Sequence, residues 1–270
     1  MKIRIACIQM DAGDQFDRNL HQAFQLGHQA SGLKADLIAY PETFLFRGAA
    51  SRNAEAAKHT KAVLHKFQHL ACMGRVPILL GSVLEKSNRR GKYYNTSLLI
   101  SNAGQLVATY RKIHLFDVKT PHNLKVSESR HILPGHAAVT VEQLGVQFGL
   151  TVCYDVRFPE LFRNLALRGA EVIFVPANFV QETGRAHWHT LLRARAIENL
   201  VYIVAPAQVG KNPATGVRSF GHSLIIDPWG DILAEGSGHR REVVSAVIDT
   251  GKVQKLRRSF PVLKHSRLHI

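Results

Sequence analysis

GLTVCYDVRFPEL, residues 149–161, joins two patterns. The apolar run from Val146 to Val152 has the character of a buried strand, and Pro159 then stands near the first turn of a helix. Cys153 falls at the sharp turn between them. Backbone N–H groups and the positive end of a helix dipole converge at such a junction, which favours a thiolate and can hold an oxyanion. Any single cysteine can also be read as a buried structural residue, so the rest of the chain must decide between the two.

On either side, strand and helix patterns alternate in two stretches, 1–83 and 145–206. In the first, Ile3 to Gln9 reads as a strand, Phe16 to Ser31 as a helix stopped by Gly32, and Leu37 to Tyr40 as a short buried strand. A long helix is expected from Ser51 to Met73, then a strand from Pro77 to Val83. Tyr94 to Ile100 and Gln105 to Tyr110 flank a hairpin turn signal at 101–104, and 111–136 reads as loop. In the second stretch, Ala138 to Val141 and Gly145 to Val152 form a hairpin. Helix 157–169, strand Glu171 to Pro176, helix 184–199 and strand Val201 to Ala205 follow. Ser219 to Ile226 and Glu242 to Ile248 close the sheet region around the tight turn Asp227-Pro228-Trp229-Gly230. This is an α/β chain whose two similar halves each supply a helix-covered sheet. No linker or low-complexity segment divides it, so residues 1–270 are read as one domain with a peripheral basic tail at about 250–270.

The chain has 270 residues, 46% of them hydrophobic and 20% charged, which describes an ordinary globular protein. No apolar run reaches the ~20 residues that span a bilayer, and the N-terminus passes directly into a strand pattern without a signal-peptide h-region. Three cysteines fit free thiols in a reducing cytoplasm better than a disulfide framework. The net charge of +15 is scattered, densest at 88–92 and 252–258, without the aromatic interleaving of a nucleic-acid face. A membrane partner is not expected, and nucleic acid is not the favoured one.

Ionisable residues at the carboxyl ends of buried strands are favoured functional positions in α/β folds. Glu42 follows Leu37–Pro41, Lys112 follows Leu106–Tyr110, and Cys153 follows Gly149–Val152. Together they offer a base, a cation and a thiol. Glu42 can take the thiol proton and return it to a leaving amine, while Lys112 can lower the thiol pKa and hold an oxyanion with the N–H of Tyr154.

The stations PETF (41–44), YRKIHLFD (110–117) and CYDVRFPEL (153–161) resemble, in order and spacing, the three signature motifs of the nitrilase superfamily of carbon–nitrogen hydrolases. The resemblance continues through SES (127–129), PAN (176–178), GRAHWHTLLRARAIEN (184–199) and GHSLIIDPWG (221–230). It implies a four-layer α-β-β-α sandwich, with Glu42 as general base, Lys112 as oxyanion-stabilising lysine, Cys153 as nucleophile and Glu128 as the glutamate that orients the lysine. It also implies association through outer helices into a homodimer or higher homo-oligomer, and no metal or organic cofactor. Within the family, the chain is most similar to amidases of deaminated glutathione, near omega-amidase. The expected reaction converts a small carboxylate-bearing amide to acid plus ammonia through a thioester; α-ketoglutaramate, another small amide, a carbamoyl compound or a nitrile are the alternatives. Arg157 is a candidate substrate-carboxylate anchor or a structural ion pair at the helix start. Asn178 is a candidate pocket residue or a turn residue. The loop 118–126, VKTPHNLKV, departs from the glycine-rich, acidic-flanked character of that branch.

Cys7 and Cys72 read as structural. His65 and His69 lie four apart on a helix, and His187 and His189 flank Trp188, but neither pair has an evident third ligand, so no metal is expected. Arg193 and Arg195 read as ion-pairing residues. A Cys-His hydrolase lacks a supporting signature around Cys153. An inactive basic binding scaffold is the non-enzyme alternative.

Overall fold

The computed structural model describes residues 1–120 and 125–267. Its first half runs β1 (Lys2–Gln9), α1 (Phe16–Gly32), β2 (Leu37–Ala39), α2 (Asn53–Lys58), α3 (Thr60–Gly74), β3 (Ile78–Lys86), β4 (Tyr93–Ile100) and β5 (Leu106–Arg111). A small antiparallel pair follows, β6 (Asp117–Lys119) with β7 (Lys125–Ser127). The second half comprises β8 (Val139–Gln143), β9 (Val146–Leu150), α4 (Pro159–Leu167), β10 (Val172–Phe174), α5 (Gln181–Asn199) and β11 (Tyr202–Ala205). It ends with β12 (Leu224–Ile226), β13 (Ile232–Glu235), β14 (Glu242–Asp249) and α6 (Thr250–Ser259).

Two six-stranded sheets result, ordered β14-β1-β2-β3-β4-β5 and β8-β9-β10-β11-β12-β13. Both repeat one pattern of neighbours: antiparallel, parallel, parallel, antiparallel, antiparallel. The strand at the β8 position of the first sheet comes from the far end of the chain. β14 pairs along all of β1, from Lys2 opposite Asp249 to Gln9 opposite Glu242.

Strand alternation builds the layers. Ile3, Ile5 and Cys7 of β1 enter the core between the sheets, while Ala6 and Ile8 face the outer core with Leu20, Ala23 and Leu26 of α1. β2 divides in the same way, Leu37 and Ala39 inward and Ile38 outward. α1 and α3 cover the first sheet; α5, with the buried Trp188, Leu192 and Ala196, covers the second. The architecture is the four-layer α-β-β-α sandwich. Among the described residues no helix is long and apolar enough to cross a membrane.

Several elements differ from the sequence expectation. The helix expected from Ser51 to Met73 breaks at His59, where the Thr60 hydroxyl donates to the Leu84 carbonyl at 2.6 Å. The strand expected from Ser219 begins only at Leu224, because Gly221 and His222 take φ of +74° and +51° and turn the backbone out of extended geometry. The expected loop at 111–136 contains β6 and β7, and β13 was not anticipated. Of the atypical loop 118–126, residues 121–124 lie outside the described residues. Residues 250–259, read as the start of the tail, form a helix that buries Val253.

Gly81 is required where β3 passes the end of β2. A Cβ there would stand 1.8 Å from the Tyr40 carbonyl oxygen. The Gly81→Ala variant is therefore expected to lose about 2–3 kcal/mol of stability by overpacking, read as a lower urea midpoint with an unchanged m-value.

Candidate active site

Three strand ends converge on one cavity of about 300 Å³, lined among others by Glu42, Asn95, Lys112, Glu128, Cys153, Tyr154 and Asn178. Each arrives by a constrained backbone. Glu42 follows β2 and Pro41; its carbonyl accepts from Gln208 Nε2 at 2.9 Å, and the next N–H, of Thr43, donates to Ser82 Oγ at 2.9 Å. Lys112 follows β5, its N–H donating to the Asn95 carbonyl at 2.9 Å and its own carbonyl accepting from Gly135 N–H at 2.8 Å. Cys153 opens a short 3₁₀ turn, Cys153–Arg157, with its N–H donating to the Pro176 carbonyl at 2.9 Å. Its φ of +49° is left-handed, a conformation that costs an L-residue about 1–2 kcal/mol.

Asp155 holds that turn. Its carboxylate is wholly buried and accepts from Val152 N–H (2.8 Å), the Tyr110 hydroxyl (2.7 Å) and His114 N–H (3.0 Å); His114 Nδ1 lies 2.7 Å from the same oxygen. Tyr110 and His114 flank Lys112 in sequence, so one carboxylate ties the cysteine turn to the lysine segment. His114 also stacks on Phe158 at 3.6 Å.

Lys112 Nζ lies 3.0 Å from Glu42 Oε1 and 2.9 Å from Glu128 Oε2. Asn95 Nδ2 donates to both carboxylates, at 2.9 and 3.2 Å, and Glu42 Oε2 accepts from Asn178 N–H at 2.8 Å. Phe116 N–H fixes Glu128 at 2.7 Å. Burial alone would push the Lys112 ammonium down. Glu128 and Glu42 outweigh it and hold the lysine well above its ordinary range.

The thiol behaves opposite to the expectation of a favoured thiolate. Burial pushes the Cys153 pKa well up and the charge of Glu42 adds to that, while Lys112 opposes it. Burial and the Glu42 charge together outweigh the Lys112 ammonium. The helix dipole is also not at hand, since α4 begins only at Pro159. The Cys153 thiol is hydrogen-bonded to Glu42, which adds to the upward shift.

The other expected residues divide. Tyr154 and Asn178 line the cavity, whereas Arg157 is not among its lining residues and lies 5.7 Å from the Tyr154 ring and 5.3 Å from that of Phe179. Asn178 is oriented by neighbours that sequence reading missed. Its Oδ1 accepts from Arg47 Nη1 at 3.0 Å and Ser219 Oγ at 2.6 Å. Arg47 is nearly buried, its guanidinium lowered to about 10 by burial against the opposing pull of Asp11. Asn95, Asp155 and Gln208 were likewise not anticipated; only Asp155, two residues after the cysteine, lay inside a motif.

A thiol, a carboxylate and a buried ammonium around one cavity have the parts of acyl transfer through a thioester: nucleophile, proton acceptor and oxyanion partner. A second cavity of about 690 Å³ shares Phe116, Ser127 and Asn178 with the first and is lined by Lys125, Arg130 and Arg218. No carboxylate lines it, and among the described residues none of these three side chains forms an ion pair.

Comparison with known proteins agrees with this arrangement. A family model described as carbon-nitrogen hydrolase matches residues 4–258. A Synechocystis protein named deaminated glutathione amidase is 40% identical over 265 residues, covering 96% of each chain. The crystal structure of the C. elegans NitFhit protein superposes with a TM-score of 0.92 at 35% identity over 98% of this chain, which spans 65% of that protein's length. Saccharomyces cerevisiae Nit3, described as a member of branch 10 of the nitrilase superfamily, superposes with a TM-score of 0.86 at 28% identity, covering 99% of this chain and 97% of its own.

Glu42→Gln removes a negative charge that raises the thiol pKa while Lys112 stays charged. The pH midpoint for alkylation of Cys153 by iodoacetamide, followed by mass spectrometry, is expected to move downward from that of the parent protein.

Proposed function

The chain belongs to the carbon-nitrogen hydrolase family, and from that premise we propose that it hydrolyses a small carboxylate-bearing amide of the deaminated glutathione type. The observation that carries this reading is the convergence of Cys153, Glu42 and Lys112 on one cavity beside a wider one lined by Lys125, Arg130 and Arg218.

In the proposed reaction the Cys153 proton passes to Glu42 as Sγ attacks the amide carbonyl. The oxyanion forms between Lys112 Nζ and the N–H of Tyr154, within the first turn after the cysteine. Glu42 then gives the proton to the departing nitrogen, the C–N bond breaks and a thioester remains. Glu42 next deprotonates water, which attacks the thioester; the acid leaves and Cys153 regains a proton. With deaminated glutathione the departing group is the amine of the cysteinylglycine portion, and with a primary amide such as α-ketoglutaramate it is ammonia. Each step balances with side chains and water alone. Glu128 and Asn95 act as positioning residues that keep Lys112 aimed at the carbonyl.

The net charge around Cys153 is negative, which repels a substrate carboxylate. The cations Lys125, Arg130 and Arg218 attract it, so the acidic end of the substrate points into the wider cavity and the amide into the narrower one. Three free thiols, one of them the exposed Cys72, support a reducing cytoplasmic setting and one hydrolase domain working without disulfides. Ile197, Trp229 and Phe260 support a homo-oligomer. All three are exposed; Trp229 and Phe260 meet edge-on at 6.1 Å, and Ile197 lies against Gly230.

Product release from deaminated glutathione, α-ketoglutaramate and a neutral primary amide tests the reading. Cys153→Ala is expected to remove about 10⁴-fold or more of the activity, and Lys112→Met about 10²–10³-fold with the fold retained by circular dichroism. Arg218→Ala is expected to raise KM about 5-fold for the anionic amides, less at high salt, and to leave the neutral amide unaffected. A folded parent protein inactive on all three amides would refute the amidase assignment. Preference for α-ketoglutaramate would keep the residue roles and change the substrate.

A further inference from the structure

The sequence around Trp188 offers histidines without a third donor, and the fold supplies one. His189 comes from α5, His222 from the turn before β12 and Glu235 from β13. His189 Nε2 lies 2.9 Å and His222 Nδ1 2.7 Å from one oxygen, Glu235 Oε1. One potential ligand atom from each of the three residues falls within 4.8 Å of the others. Backbone geometry prepares the cluster. His222 takes a left-handed φ of +51°, its carbonyl accepts the Trp188 indole N–H at 2.8 Å, and its ring fits against Gly238, where a Cβ would stand 2.7 Å from Nε2. The three side chains are about one-third exposed, so water has access to them.

We propose that His189, His222 and Glu235 form a binding site for a divalent cation of the zinc class, distinct from the reaction cavity. None of the three lines that cavity. Two imidazoles and one carboxylate are a borderline donor set suited to Zn²⁺, with a water in the fourth position. Zinc bonds of about 2.0–2.2 Å set tetrahedral donors about 3.3 Å apart. The two donors hydrogen-bonded to Glu235 separate from it by about half an ångström, and the two imidazole nitrogens, within 4.8 Å of each other, close to the same spacing. Metal bonds replace the two hydrogen bonds, both rings bind as neutral imidazoles, and the ion clips α5 to the β12–β13 hairpin. The site's role is a clamp between an outer helix and its sheet, separate from turnover.

The test is calorimetric titration of zinc into the full chain carrying Cys72→Ser and Cys153→Ala, which removes the exposed thiol and the cavity thiol as competing ligands. The expected result is one zinc per chain, with affinity reduced at least about 10-fold by either His189→Gln or Glu235→Gln. Ni²⁺ should quench the fluorescence of the adjacent Trp188 in the parent and not in these variants. Zinc should raise the melting temperature of the parent alone. Absence of binding, or binding that persists unchanged in both variants because the ion rests on other histidines such as His65 and His69, overturns the proposal. With Cys72 and Cys153 restored, Glu235→Gln is expected to hydrolyse amides as the parent does, so failure of the zinc site and failure of the amidase reading are separately visible.

Discussion

A lysine ammonium with 2% of its side chain exposed has to be paired, since removing an unpaired charge from water costs several kcal/mol even after relaxation. Lys112 meets this with two carboxylates, and much of the site follows. Glu42 and Glu128 come from distant parts of the chain, one after β2 and the other after β7. Asn95 bridges the two, and backbone N–H groups of Asn178 and Phe116 bind the remaining carboxylate oxygens. Burial, and after it the charge of Glu42, raises the Cys153 pKa against the pull of Lys112.

The sheets make this pairing possible. Because both repeat the same order of parallel and antiparallel neighbours, β2 and β10 occupy equivalent positions and deliver Glu42 and Asn178 from their carboxyl ends. β9 delivers Cys153 in the place that β1 holds in the first sheet. Asp155 then locks the cysteine turn to Tyr110 and His114, beside Lys112. Packing between sheets and hydrogen bonding within the site are thereby the same constraint: sliding one sheet over the other would separate Asp155 from its partners before it disturbed the strands themselves.

The electrostatics divide in space. Carboxylates gather near the Cys153 thiol, and the cations Lys125, Arg130 and Arg218 gather in the adjoining cavity, so the proposed anionic amide has one favoured orientation. The overall charge of +15 contains no such information, because most of those cations lie elsewhere on the surface.

The period-2 alternation of β1, the short apolar run of β2, the alternation of strands with helices, and the motifs around Glu42, Lys112 and Cys153 are local patterns. They determined the fold class and the two-half organisation directly from the sequence, and they picked out three side chains that meet at one cavity. What depends on approach between distant segments was not legible there. Asn95, Arg47 and Gln208 look like ordinary strand and loop residues until the sheets stack; β6, β7 and β13 are too short to show a period; Arg157 follows the cysteine closely yet falls outside the cavity lining. The protonation of Cys153 was misjudged for the same reason, since nearby chain suggested a helix dipole while the deciding charges come from 111 residues upstream, at Glu42, and from burial. Local pattern decides which elements form and which side chains can react. Desolvation and charge pairing, which exist only once the layers close, decide in what state they wait.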